Sequence, residues 1–286
     1  MEIIKSITGM KQWSDQVRSS HKTIGFVPTM GCLHEGHMSL VLESVSTCDV
    51  TVASIFINPT QFGENEDLDQ YPVNLEADQR QLETAGVDVL FLPSRNTMYP
   101  KGYKTFVTVE EITDHLCGKS RPGFFRGVAT VVLKLFNIVR PHAAFFGNKD
   151  WQQATVIESL VRDLDLDVSI KRLPIVREPQ GLAKSSRNLY LSKEETEPSL
   201  SLSRALDAAR QRVLNGESSA QKIRQEIREQ IEKYDKAEID YISVCDPESF
   251  IEQEEIKGSS LIALAVRIGK TRLIDNCIVG RVKCSE

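Results

Sequence analysis

The run at positions 50–57, Val-Thr-Val-Ala-Ser-Ile-Phe-Ile, constrains the fold of this chain more than any other stretch. It is β-branched and almost wholly apolar. Successive strand residues point to opposite faces, so such a strand must be covered on both sides, as in a parallel sheet flanked by helices. Comparable runs stand at 23–28, 87–92, 143–146 and 170–176, the last interrupted by Pro174. Helical patterns lie between them: at 36–45 through Met38, Leu42 and Val45, at 74–85 closed by Gly86, at 126–139 stopped by Pro141, and at 150–162. The alternation predicts an α/β domain over 1–176 with a doubly wound, Rossmann-like parallel sheet. Such sheets bind ligands beyond the carboxyl ends of their strands.

The pattern changes after Arg177. Two amphipathic helices are expected at 199–214 and 218–233, joined around Asn215 and Gly216. Three strands follow at 239–245, 261–268 and 271–280, with Gly269-Lys270 as a hairpin signal. The segment 177–286 therefore reads as a smaller α+β domain. A length of 286 residues fits this division, at about 150 residues per domain.

Charge narrows the class of partner. Lys and Arg total 35 against 40 Asp and Glu, a net charge of −5, whereas a general nucleic-acid binder carries a basic excess. No nucleic-acid partner is expected, although a local basic pocket for a small anion remains compatible. No apolar stretch approaches the roughly 20 residues of a membrane helix. Residues 1–5 have neither the basic nor the apolar region of a signal peptide. The expectation is a cytoplasmic protein with no membrane partner. Cys32, Cys48, Cys117, Cys245, Cys277 and Cys284 are scattered without a Cys-x-x-Cys pair, as reduced, packed thiols would be.

Four segments carry candidate chemistry. The first is Met30, Gly31, Cys32, Leu33, His34, Glu35, Gly36 and His37, between a strand and a helix. Glycines there let backbone N–H groups approach a ligand, and the helix start adds partial positive charge suited to phosphate. Two histidines in one turn can stabilise a transferring phosphoryl group, as cations or as neutral donors. A single histidine at a helix start also reads as a cap, and a pair as metal ligands. However, His-Glu-Gly-His is not the His-Glu-x-x-His zinc pattern, and no third ligand is evident.

The second segment, Asn58 to Gly63, follows the strand at 50–57. Pro59 stiffens the strand exit, and Gln61 offers both a donor and an acceptor. The acidic stretch behind it, Glu64, Glu66, Asp67 and Asp69, reads either as a solvated loop or as one facing magnesium. The third is Gly147, Asn148, Lys149, Asp150 and, one helical turn on, Gln153. Lys149 is a point charge suited to phosphate, and Asp150 reads as a helix cap or a ribose-hydroxyl acceptor. The fourth runs from Arg177 through Lys184, Ser185, Ser186 and Arg187. It reads as a phosphate clamp or as a basic interdomain linker. Gly269-Lys270-Thr271 looks like the end of a P-loop but lacks the earlier glycine and a following helix, so it reads as a turn.

The His34–His37 turn resembles the His-x-Gly-His signature of the nucleotidylyltransferase and class I aminoacyl-tRNA synthetase superfamily, whose members cleave ATP between its α and β phosphates. The four segments in this order resemble the pantoate–β-alanine ligases. The likeness extends through Phe125, Arg126, Gly127 and Val128 and through Val139, Arg140 and Pro141, and reaches the stretch 267–276.

That resemblance implies an AMP-forming ligase of pantothenate (coenzyme A precursor) biosynthesis. It would condense (R)-pantoate with β-alanine through a pantoyl adenylate, releasing AMP and diphosphate. By the same resemblance the residues from Met30 to His37 contact ATP, with His37 as catalytic proton donor. Gln61 binds pantoate and β-alanine, and Gln153 binds pantoate. Gly147, Asn148, Lys149, Asp150, Val176, Lys184, Ser185, Ser186 and Arg187 complete the ATP site. The resemblance further implies Mg2+ riding on the ATP phosphates with no assigned protein ligand, a cytoplasmic homodimer, and a C-terminal domain that closes over the site. Lys184 stands where the family usually has Met, and Val73 where it often has Arg. Competing readings are a transferase that adenylylates a phosphorylated cofactor precursor, an enzyme that charges tRNA, and an ATP-binding sensor without turnover.

Overall fold

A computed structural model describes residues 1–63 and 66–280. Glu64 and Cys284, singled out above, lie outside the described residues. In chain order the first part comprises β1 (Glu2–Ile4), α1 (Ile7–Ser19), β2 (Ile24–Thr29), α2 (Glu35–Thr47), β3 (Val50–Ile55), α3 (Leu75–Thr84), β4 (Val89–Phe91), α4 (Arg95–Met98), α5 (Leu116–Ser120), α6 (Phe124–Val139), β5 (Ala143–Gly147), α7 (Trp151–Asp163) and β6 (Ser169–Leu173). The second part comprises α8 (Lys193–Leu214), α9 (Ala220–Ile231), β7 (Ala237–Cys245), β8 (Ser260–Ile268) and β9 (Thr271–Val279).

Among the described residues, six strands form a parallel sheet in the order β1-β4-β3-β2-β5-β6. The doubly wound α/β expectation is met. Adjacent residues of β2 show why its run is apolar throughout. Phe26 meets Phe136 of α6 edge to face, with ring centroids 6.4 Å apart, whereas Val27 packs in a cluster with Leu40 and Val41 of α2. Both faces of the strand are therefore covered, and Ile24, Phe26 and Val27 are fully buried. Neither β1 nor α1 is visible in the sequence pattern. Three residues are too few to show periodicity, and α1 carries a polar majority behind its Ser6 cap. The strand expected at 170–176 ends at Leu173, because Pro174 has no N–H to continue the ladder.

The second sheet, β7-β8-β9, is antiparallel, with α8 and α9 supplying its apolar cover. Ile223, Ile227 and Ile231 form an i, i+4, i+8 stripe on α9, and all three are fully buried. Each such side chain contributes roughly 1.5–3 kcal/mol of burial. The helix expected at 199–214 begins earlier, at Lys193. The Ser192 N–H donates to Glu195 Oε2 at 2.9 Å, half of a capping box that starts the helix ahead of Pro198.

The chain divides into two compact units. The first contains Met1–Val109, Arg121–Asn148 and Gln153–Pro174, and the second Glu110–Ser120, Lys149–Gln152 and the chain from Ile175 onward. The two short segments join the second unit through apolar packing. Ile112, Leu116 and Trp151 lie against Cys245, Phe250 and Leu261. No described helix is long and apolar enough to cross a membrane.

Candidate active site

In the first unit the strand order reverses between β2 and β5, the switch point at which open α/β sheets form a ligand crevice. The turn from Met30 to His37 leaves the carboxyl end of β2, and the turn at Gly147 leaves that of β5. The segment holding Gln61 follows β3, the other neighbour of β2. Three of the four candidate segments thus start at adjacent strand ends.

The histidine turn is built by a carboxylate that no motif in the sequence marks. Asp78 of α3 is 2% exposed and accepts from the Cys32 and Leu33 backbone N–H groups, both at 2.8 Å. The Gly31 N–H donates to Thr29 Oγ1 at 3.1 Å. Gly31 has φ +85, and a Cβ there would stand 3.0 Å from Asp78 Oδ2, so only glycine suits the position. Cys32 follows with φ 51. His34 caps α2: its Nδ1 accepts from the Gly36 N–H at 3.1 Å. A nitrogen that accepts carries no proton, so capped His34 is the neutral tautomer with Nε2–H as its donor. The His34 and His37 rings lie 4.1 Å apart at 35°. Two imidazolium rings that close would repel, so the geometry disfavours both rings being charged at once.

Gln61 is held from two sides. Asn58 Nδ2 donates to Gln61 Oε1 at 3.0 Å and to the Gly127 carbonyl at 3.1 Å, while Gln61 Nε2 donates to Met30 Sδ at 3.3 Å. Asn58 Oδ1 accepts from the Thr60 N–H and hydroxyl. With 1% exposure, Asn58 sets the direction of the Gln61 amide. Gly127 of α6 makes this approach possible. A Cβ there would stand 2.7 Å from the Gln61 nitrogen and closer still to the Thr60 carbonyl. Behind the turn, Arg121 donates to both carboxylate oxygens of Glu66 and to the Gln61 carbonyl. Glu66 is thus held by a guanidinium. A cavity of about 210 Å³ opens beside Met30, Gly31 and Cys32, and Val73 and Arg95 also line it.

At the end of β5, a Cβ on Gly147 would meet nothing within 4 Å, so the backbone there faces open space. Arg172 of β6 donates through Nε to Asn148 Oδ1 at 2.9 Å. Burial pushes the Arg172 pKa down, and Glu158 opposes that shift. Gln153, partly exposed, lies in the first turn of α7.

Lys149 and Asp150 belong to the second unit, as do Val176 and residues 184–187. Here the Lys184 N–H donates to the Val176 carbonyl at 2.9 Å, and Arg177 bridges Ala183, so residues 176–184 form a small hairpin. Ser185 caps the short 3-10 turn Ser186–Tyr190 that follows. Arg177 donates to Asp275 through Nη1 at 2.6 Å and Nη2 at 2.9 Å. Burial works against the Arg177 charge, but its bond to Asp275 and that carboxylate's charge outweigh burial and raise its pKa.

Among the described residues, no group of three or more His, Cys, Asp or Glu side chains could hold a metal ion, and no disulfide is formed.

The model of the family described as pantoate-beta-alanine ligase matches residues 2–278. Pantothenate synthetase from Heliobacterium modesticaldum is 55% identical over 98% of this chain and 99% of its own. The chain superposes with a TM-score of 0.91 on a crystal structure of pantothenate synthetase from Thermus thermophilus, at 40% identity over 97% of this chain and 99% of that one. A structure of pantoate-beta-alanine ligase from Francisella tularensis, complexed with beta-gamma ATP and beta-alanine, aligns with a TM-score of 0.80 at 36% identity, covering 97% of each chain.

Proposed function

The chain belongs to the pantoate–β-alanine ligase family, and from that premise we propose how its residues carry out the ligation. The reaction joins pantoate to β-alanine as the amide pantothenate, using ATP. A carboxylate is a poor acyl donor because its leaving group is oxide. The pantoate carboxylate therefore attacks the α-phosphorus of ATP, and diphosphate leaves. The amine of β-alanine then attacks the acyl carbon of pantoyl adenylate. AMP leaves with the former carboxylate oxygen, and the amine proton passes to solvent.

The observation that carries this assignment is the Gln61 amide fixed beside Met30, 3.3 Å from its sulfur, next to the histidine turn at the switch point. A neutral amide oriented by Asn58 can address the hydroxyls and carboxylate of pantoate without locking an ion pair, and Gln153 is its proposed partner on pantoate. Gln61 also receives β-alanine in the second step. His37 donates to phosphate as charge develops, and His34 supplies a neutral Nε2–H. Residues Met30 through His37, Gly147, Asn148, Lys149, Asp150, Val176, Lys184, Ser185, Ser186 and Arg187 are assigned to ATP. Holding the reactants aligned supplies much of the rate, and water must be excluded because the mixed anhydride hydrolyses. Mg2+ enters as the MgATP complex, carried by the phosphates. We further assign pantoate binding and most of the nucleotide site to 1–176, with residues 184–187 of the smaller domain at 177–286 completing the ATP site, and the enzyme acting as a cytoplasmic homodimer.

The deciding assay is AMP release. With ATP, pantoate and β-alanine, AMP and pantothenate should appear in equal amounts. Adenylyl transfer without an amide product, or ATP binding with no turnover on any acid, would refute the assignment.

A further inference from the structure

The stretch 267–276 carries part of the family likeness, yet no role falls to it in the proposed mechanism. Its last two residues, Asp275 and Asn276, are 3% and 6% exposed on β9. Among the described residues this strand pairs through β8 only, since the sheet order is β7-β8-β9. Consecutive strand residues point to opposite faces, so the pair can reach two segments at once. Asp275 takes both guanidinium nitrogens of Arg177 at 2.6 and 2.9 Å, and Arg177 Nη1 also donates to the Gly181 carbonyl at 3.0 Å. Asn276 Nδ2 donates to the Lys149 carbonyl at 2.9 Å. The Asn276 N–H closes the pair by donating to Asp275 Oδ1 at 2.8 Å. One strand thus fixes both the base of the hairpin that presents residues 184–187 and the backbone of Lys149.

We propose that Asp275 and Asn276 are positioning residues for nucleotide binding, setting Lys149 and the 184–187 segment from a single strand. The proposal rests on the assignment of those segments to ATP. Neither residue need touch substrate. The bidentate pair is directional, and the Asn276 amide is a specific donor to one carbonyl. Misplacing a binding group by about 1 Å can cost on the order of a hundredfold.

Asn276→Asp keeps the shape of the side chain, removes its donor and sets a carboxylate against the Lys149 carbonyl. It should weaken ATP binding, read by calorimetry, at least tenfold. The KM for pantoate should stay within about twofold, and the melting temperature should stay near that of the parent. Asn276→Ala removes the donor without adding a charge and should show the same ATP-selective loss, so it decides the matter if Asn276→Asp does not fold. Unchanged ATP affinity in a folded variant, equal losses for ATP and pantoate, or failure of both variants to fold would each overturn the proposal. A parent chain that does not bind ATP would overturn both this proposal and the functional assignment. A parent that binds ATP, with variants that bind it equally well, would overturn the positioning role alone.

Discussion

His34 and His37 show how one turn divides labour between two identical side chains. The cap bond to Gly36 fixes His34 Nδ1 as an acceptor, and His37, stacked 4.1 Å away, is the residue assigned to donate to phosphate. Help that grows as charge develops on phosphorus lowers the barrier more than it tightens the ground state. His37→Ala should therefore slow adenylate formation on the order of a hundredfold or more, as for loss of one preorganised donor. ATP affinity should change only a fewfold. Single-turnover AMP formation and calorimetry separate the two, and a rate within a fewfold of the parent would demote His37 to a structural residue. The sequence made this turn legible because its glycines and histidines are contiguous. Asp78 was not legible, since it reaches the turn from 46 positions away and sits on a helix that reads simply as polar. Asn58 stood inside a recognised segment, but only the fold shows its amide pointing at Gln61 rather than at solvent.

At the scale of elements, the approach of α6 to the turn after β3 depends on one missing methyl group. Gly127→Ala would press a Cβ onto the Thr60 carbonyl and the Gln61 nitrogen. Both are backbone atoms and cannot rotate away. Overpacking of that kind costs about 1–3 kcal/mol, and the strain falls on the residue assigned to pantoate. The expected outcome is a lowered melting temperature together with a raised KM for pantoate at nearly unchanged ATP affinity. A variant with parental stability and kinetics would show that the helix shifts at no cost. Elements with long apolar runs, such as β2 and β3, were legible because both of their faces are buried. The early start of α8 was not, because Pro198 reads as a boundary while the capping box at Ser192 lies upstream of it. Nor did periodicity reveal that segments 110–120 and 149–152 belong with the second unit, because a few apolar contacts decide that.

At the scale of the whole molecule, the buried Cys245 bears on stability rather than on chemistry. Burial pushes the Cys245 thiol up to about 12, against about 8.5 in an unfolded chain. Its folded pKa is raised, so the stability it contributes is complete below about pH 8.5 and is lost as pH rises toward 12. Cys245→Ala should flatten the decline in denaturant midpoint between pH 8.5 and 10.5, whereas a decline as steep as the parent's would assign the alkaline loss to other groups. Function at this scale is an ordered pair of reactions, in which the adenylate forms before the amine is needed. The most direct measurement is exchange of labelled diphosphate into ATP with MgATP and pantoate present and β-alanine withheld. Exchange should depend on pantoate and proceed without the amine; exchange that appears only once β-alanine is added would show that no free-standing adenylate step precedes amide formation.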